Sequence, residues 1–571
     1  MKNFIFILFC LSAQLIIAQN SLPEHRLLRR KTTVVPAQKH PSEAQQTNNS
    51  VRIRTAAGQK TATDLPARVD PLVTPINRWH QYSVPYWNQT PIIDGEHCPA
   101  GCVALSQAQV MHYWRHPQQG EGEHTYNDST GCRQILYANF ADRQYEWDKM
   151  LFEYLDGEYT GKDAERVSQI LSDCGISVDM RYGRENSGAR PVMHPISLVN
   201  YFKYSKSTQI YFRDLYTTDE ITTMLKQELA AGRPVLISAY NSNGGHAFVI
   251  DGYNEDNWFH IMVGNPGGAE DGWTSLECMA GSHDEYDYTI SPETGINLLQ
   301  IFIMGIKPRS EDPEQETHIY TMQGIKANTT KARRNESLEI CVQDLANIGY
   351  NLHEDSVAVM LLKDGQICDT LYTYNRTFAL EEVDDTAYTD TIQISLNAQI
   401  PAGEYQIQPM FRDQETWIPV RTTLGIPNYL LCSVSNGDIE LSSDTTKTAW
   451  LELTDFDMPD LLVNAQAPDF SFTLKNHNVE STGRIYFLME PTNEEYKPFY
   501  IYRQGYTLGA NEERTYRVHI KKISAPKTGE YRLRVQYNNN LMSDEMIDML
   551  DEDEPKYISI LHSGIFQLAD K

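Results

Sequence analysis

Cys102 and His246 are the two side chains in this sequence best suited to do chemistry together, a thiol that can act as nucleophile and an imidazole that can take up and return a proton. Cys102 opens the run CVALSQAQVMHYWRH, in which Val103, Leu105, Ala108, Val110, Met111 and Trp114 recur at helical spacing before Pro117. A cysteine in the first turn of a helix meets unpaired N–H groups, which favour its thiolate. Ala100 and Gly101 before it leave room for a substrate backbone. Taken alone, Cys102 reads equally well as a core cysteine. His246 lies 246 − 102 = 144 residues downstream, after Gly244 and Gly245, and a lone histidine before a strand is more often structural than reactive. The pairing of the two is what points to a thiol nucleophile with its base.

Three runs around the histidine must position it. PVLISAY (234–240), HAFVIDGY (246–253) and WFHIMVG (258–264) are β-branched and aromatic, with Gly, Asn and Asp between them, and read as consecutive strands of one sheet. Together with the helix at Cys102 they predict an α+β domain over residues 70–308. After Lys307 the pattern becomes strand-like throughout, as in SLEICVQDL, GEYQIQPMFRD, GRIYFLME and GEYRLRVQY, which predicts all-β, Ig-like sandwich domains over 309–435 and 436–571. At 571 residues, several cores are expected.

The N-terminus places Lys2 before an apolar run that ends in small and polar residues, the layout of a signal peptide over 1–18 with cleavage near Ala18. Phe9 before Cys10 argues against lipidation. Residues 19–69 are polar, with basic spots at Arg29, Arg30, Lys31, Arg52 and Arg54, and read as a flexible pro-segment or linker. No later segment offers about 18 uninterrupted apolar residues, so no membrane span is expected. A net charge of −27 argues against nucleic acid as a partner. Eight of the nine cysteines lie beyond the leader in a scatter that suits neither a disulfide framework nor a zinc site, although Cys341 with Cys368 is a candidate disulfide. The acidic run Asp551 to Glu554 reads as a solvated loop.

CPAGCVALSQAQVMHYWRHP together with GRPVLISAYNSNGGHAFVIDGY resembles the streptopain family of secreted bacterial cysteine peptidases, which includes periodontain and interpain. A third block, CGISVDMRYG followed by SGA (Cys174 to Ala189), is similar to the segment that family carries between its Cys and His motifs. The separation of 144 residues also falls in the range of about 130–150 seen in papain-like enzymes. The resemblance covers residues 70–308 and implies a papain-like fold, catalytic Cys102 and His246, endopeptidase activity on protein or peptide substrates, and synthesis as a zymogen. It nominates Gln81, in RWHQYSVPYWNQTP, as an oxyanion donor, with Gln89 as its competitor. A pro-segment this short and polar is expected to block a cleft only as an extended peptide.

The chain departs from the family after the histidine. Where the family reads His-x-Asn-Trp-Gly-Trp-Gly-Gly before Asp-Gly, this sequence reads HIMVGNPGGAEDGW, with Met262 and Val263 at the Asn and Trp positions. The group that orients the imidazole is therefore expected to be missing or displaced, and His246 to be wetter. Asn265 is the candidate orienting residue, its alternative being a turn residue of NPGG.

The leading expectation is thus a cysteine endopeptidase, secreted or cell-surface and bacterial, that needs no metal or organic cofactor. Zinc-helix (HExxH), serine-elbow (GxSxG) and phosphate-loop motifs are absent from the sequence. The alternative is a degenerate peptidase fold that works in binding or adhesion, its β domains contacting a surface or a protein partner.

Overall fold

The computed structural model describes residues 29–35 and 65–561, except 242–243, 280–294, 310–318, 349–352, 355–356, 376, 379–385, 398, 414–415, 465, 493–496, 521–522, 524, 526, 540–545 and 551–554. The expected leader, Cys10, Arg52, Arg54 and the acidic run at 551–554 lie outside the described residues.

Helix α1, Cys102–Trp114, forms where the apolar spacing predicts it, and every residue from Val103 to His112 is buried. A helix buried along its length must be covered by other elements on more than one side. Helix α2, Gly161–Ser177, and the strand Gly244–Tyr253 of the sheet below supply that cover. Burying Val103, Leu105, Val110 and Met111 contributes about 2 kcal/mol apiece before the entropy cost. Helices α3, Met193–Tyr201, and α4, Thr218–Ala230, complete the set used here. Thr160 and Thr217 start α2 and α4 through reciprocal capping with Asp163 and Glu220.

The three predicted strands are neighbours in one antiparallel sheet of six. In chain order its strands are β1 (Gln209–Phe212), β2 (Val235–Asn241), β3 (Gly244–Tyr253), β4 (Phe259–Met262), β5 (Gly272–Thr274) and β6 (Leu298–Met304). They lie side by side in the order β5-β4-β3-β2-β6-β1. Alternate side chains go to opposite faces. Leu236, Ala247, Val249, Met262 and Ile303 join the core with α1 and α2. Ile237, Phe248, Ile250, Ile261 and Phe302 pack on the other side with Ile221, Leu225 and Leu229 of α4.

Beyond residue 318, two further cores are each closed by two sheets. The first encloses Leu338, Ile340, Val359, Leu361, Ile392, Ile407 and Leu430. The boundary expected at 435/436 falls inside a hairpin, because Asp438–Ser442 pairs with Leu430–Val434 and carries that module to Ser442. The second encloses Phe470, Phe472, Phe487, Leu533, Val535 and Ile558. Cys341 and Cys368 are free thiols on strands of two different sheets, so the candidate disulfide is not formed.

Within the segment expected to be flexible, Arg29–Val35 forms a strand that pairs in parallel with Thr386–Ile394. Backbone pairing at a sheet edge orders this stretch without needing apolar side chains. Its partner is a β module and not the cleft.

Both modules grip the α+β domain at residues 213–220. Arg421 forms a two-pronged pair with Glu220 and lies 4.5 Å over the Tyr216 ring. Glu480 sits 3.6 Å from the buried Arg213 and accepts hydrogen bonds from Thr218 N and Oγ1 at 2.7 and 2.8 Å. A carboxylate at the first N–H groups of α4 is favoured by the helix dipole. Glu480→Ala leaves both the guanidinium and the helix end without this partner. A loss of about 2–3 kcal/mol is expected, read as a lower melting temperature, with Glu480→Gln retaining part of it.

Candidate active site

Gly101 sets the start of α1. It adopts φ +91°, and a Cβ there would lie 2.6 Å from Met180 Cε. Its carbonyl accepts the first helical bond from Leu105 N at 3.0 Å. The chain thus turns into α1 at Cys102, whose own N–H has no helical partner by construction. Met180 belongs to the block between the Cys and His motifs, which packs directly against this turn.

His246 is delivered by the second turn, at the start of β3. A Cβ on Gly245 would strike the Tyr240 ring at 2.3 Å, so only glycine lets the two strands approach there. Cys102 and His246 are neighbours that act on each other's charge. Burial disfavours a charge on Cys102, but His246 and the N–H groups of Ala247 and Val103 outweigh burial and hold the thiol below its ordinary pKa. Burial likewise pulls His246 down, yet Cys102, the Val263 carbonyl and Glu270 hold the imidazole above its ordinary value. Opposite shifts on touching groups favour a thiolate–imidazolium pair.

The sequence leaves the imidazole without an orienting group, and the structure supplies one from the backbone. His246 Nε2 lies 2.8 Å from Val263 O. A carbonyl can only accept, so Nε2 carries a proton and Nδ1 is left for the sulfur. Asn265 does not take this role. Its Nδ2 donates to Glu270 Oε2 at 2.8 Å, and its carbonyl closes the turn at Pro266–Gly268, which is the turn reading of NPGG. The aromatic cover expected to be lost is met in part by Phe248, whose ring stacks on His246 at 5.9 Å.

Gln81 is buried at 4% exposure, and its carbonyl accepts from Ala100 N at 3.1 Å, two residues before Cys102. Its segment is strapped to α1. Gln109 Nε2 donates to Trp79 O at 3.2 Å, Asn77 bonds His112 at 3.1 Å, and Trp79 stacks on His112 at 4.7 Å. Gln89 is committed elsewhere, donating to Glu165 O and Ser168 Oγ at 3.2 Å each. Gln109 and His112, two buried polar residues of α1, thus serve to hold this segment, a role that periodicity alone did not reveal.

Tyr240 is a site residue that motif reading missed. Burial, and then the neighbouring Cys102, pushes its phenol up to about 12. Its signal was indirect, the double glycine opposite it in the hairpin. His260 has a structural place, with Nδ1 2.7 Å from Asp251 Oδ1 and its ring edge-on to Trp273. Asp251 in turn binds Val73 N, Thr74 N and Thr74 Oγ1, tying the domain's N-terminal strap to β3.

Residues 79–273 match the model of the peptidase C10 family. Streptopain of Streptococcus pyogenes is 31% identical over 239 residues, which are 39% of this chain and 59% of streptopain. The thiol protease/hemagglutinin PrtT of Porphyromonas gingivalis is 28% identical over 278 residues, covering 46% of this chain and 31% of that protein. Among solved structures, active interpain A cysteine protease of Prevotella intermedia is 27% identical, covers 43% of this chain and 97% of its own, and superposes with a TM-score of 0.38. The matched region thus spans less than two thirds of streptopain's length.

Proposed function

We propose that this chain, whose residues 79–273 form a domain of the peptidase C10 family, is an exported cysteine endopeptidase acting through Cys102 and His246. The observation that carries this reading is the placing of thiol and imidazole side by side, with one ring nitrogen fixed on Val263 O at 2.8 Å. The Cys102 thiolate attacks the scissile carbonyl carbon, and the carbonyl oxygen takes the negative charge. The Cys102 N–H and the Gln81 side-chain amide are the donors for that oxygen. His246 gives its proton to the leaving amine, the C–N bond breaks, and an acyl-enzyme remains. His246 then takes a proton from water, whose oxygen displaces the thiolate and releases the acid.

The leader over 1–18 is proposed to direct export, and 19–69 to act as a pro-segment removed on maturation. The two-sheet modules are read as Ig-like sandwiches that hold a surface or a protein partner. The alternative, a degenerate binding scaffold, drew on the altered loop after the histidine. A loop that still offers an acceptor to Nε2 removes that support.

The test is labelling of the mature protein with an epoxide that traps papain-like thiolates, followed by peptide mapping. Selective modification of Cys102, lost in His246→Ala, is expected. An unmodified Cys102 after confirmed removal of the N-terminal segment would sink the peptidase reading.

A further inference from the structure

We propose that Asp271 is a positioning residue for His246, acting through the main chain of Val263; the proposal rests on the reading of Cys102 and His246 as the reactive pair. Val263 lies one residue past the end of β4, where regular pairing with β3 has stopped at Met262. Its N–H and C=O must therefore find partners outside the sheet ladder. The N–H donates to Asp271 Oδ1 at 2.6 Å, and the C=O accepts from His246 Nε2 at 2.8 Å.

Asp271 thus pins Val263 from its N–H side while the imidazole binds the same residue's C=O, so the carboxylate fixes where that carbonyl points and places a negative charge behind it. It thereby fixes the tautomer that leaves Nδ1 for Cys102, and it favours the imidazolium over the neutral ring.

Asp271 is itself rigidly placed. It is 8% exposed, its N–H donates to Gly268 O at 3.2 Å, and the next residue enters β5, where Gly272 pairs with Ile261. Gly264 has φ +78°, and a Cβ there would sit 2.5 Å from Leu105 Cδ2, so this turn lies against α1, which also carries Cys102. The bracing carboxylate, the turn and the nucleophile's helix thus form one packed unit. The titratable groups facing Asp271 are His260 and Asp251, and those facing His246 are Cys102 and Glu270.

The test compares wild type with Asp271→Ala and Asp271→Asn by the imidazole ¹⁵N signals of His246, the pH profile of Cys102 alkylation by iodoacetamide, and thermal melting. In wild type the ring is expected protonated at Nε2 when neutral. In Asp271→Ala the tautomers should mix, the upper limb of the alkylation profile should move to lower pH, and kcat should fall about 10–100-fold with little change in KM. Asp271→Asn, which keeps one acceptor but no charge, should fall between. Unmoved ¹⁵N signals and pH limbs in a folded Asp271→Ala would overturn the proposal, as would a rate loss that only tracks the folded fraction. The ¹⁵N readout needs no turnover, so a wild type that fails to react at Cys102 would count against the peptidase reading alone.

Discussion

In the His246→Ala variant, alkylation of Cys102 at pH 6 will fall by about 10²-fold or more, and peptide hydrolysis by about 10³-fold. The sign follows from the opposite displacements of the two groups. Cys102 is held below the ordinary thiol value of about 8.5, and His246 above the ordinary imidazole value of about 6.5. Below the thiol's value the sulfur is protonated, and above the imidazole's the ring is neutral, so the ion pair exists between them. Wild-type alkylation will thus keep a plateau on the acid side, where a free cysteine is unreactive. Without His246, burial dominates at Cys102 and the thiol rises above its ordinary value, each unit of rise removing a factor of ten in thiolate. Hydrolysis loses more than alkylation because the leaving amine also loses its proton donor. An alkylation profile unchanged by His246→Ala would contradict the coupling of the two groups.

Gly101→Ala will reduce hydrolysis by about 10²-fold while Cys102 remains in place chemically. At φ +91° and ψ 136° the residue occupies backbone space that is almost reserved for glycine, at a cost of about 1–3 kcal/mol for any other side chain. The added methyl would also meet Met180 Cε and Sδ at 2.6 and 2.7 Å. The strain falls on the peptide that launches α1, so the sulfur and the Cys102 N–H shift together against His246. A displacement of about 1 Å is enough for a loss of that size. Combining the change with Met180→Ala separates the two causes, since it removes the contact and leaves the φ strain. Partial recovery of kcat in the double variant is the expected outcome. A single variant with wild-type kcat would show that the turn does not govern the alignment.

Much of the arrangement was legible in local pattern. The helix at Cys102 announced itself because Val103, Leu105, Ala108, Val110, Met111 and Trp114 recur at helical spacing before Pro117. The strands around His246 did so because β-branched runs between glycines have few other uses. Gln81 was legible as a motif residue. What holds its segment was not, since Gln109 and His112 on α1 look like polar interruptions until their partners Trp79 and Asn77 are known.

The loop after the histidine shows the limit most sharply. Side-chain motifs carry no information about a main-chain carbonyl, so the loss of an expected asparagine read as the loss of an orienting group, and Asn265 was the nearest substitute. Val263 O fills the role through backbone geometry that any residue type offers, aimed by a carboxylate eight positions later. The module boundary near residue 435 and the strand at Arg29–Val35 were hidden for a related reason. Which strand pairs with which is decided by backbone hydrogen bonds between segments far apart in the chain, and the residue types along either strand record only that it is a strand. The sequence by itself therefore determined which residues could react and what elements carry them. Tertiary structure decided which backbone groups complete the site, because those groups are the same at every position and only folding gives them an address.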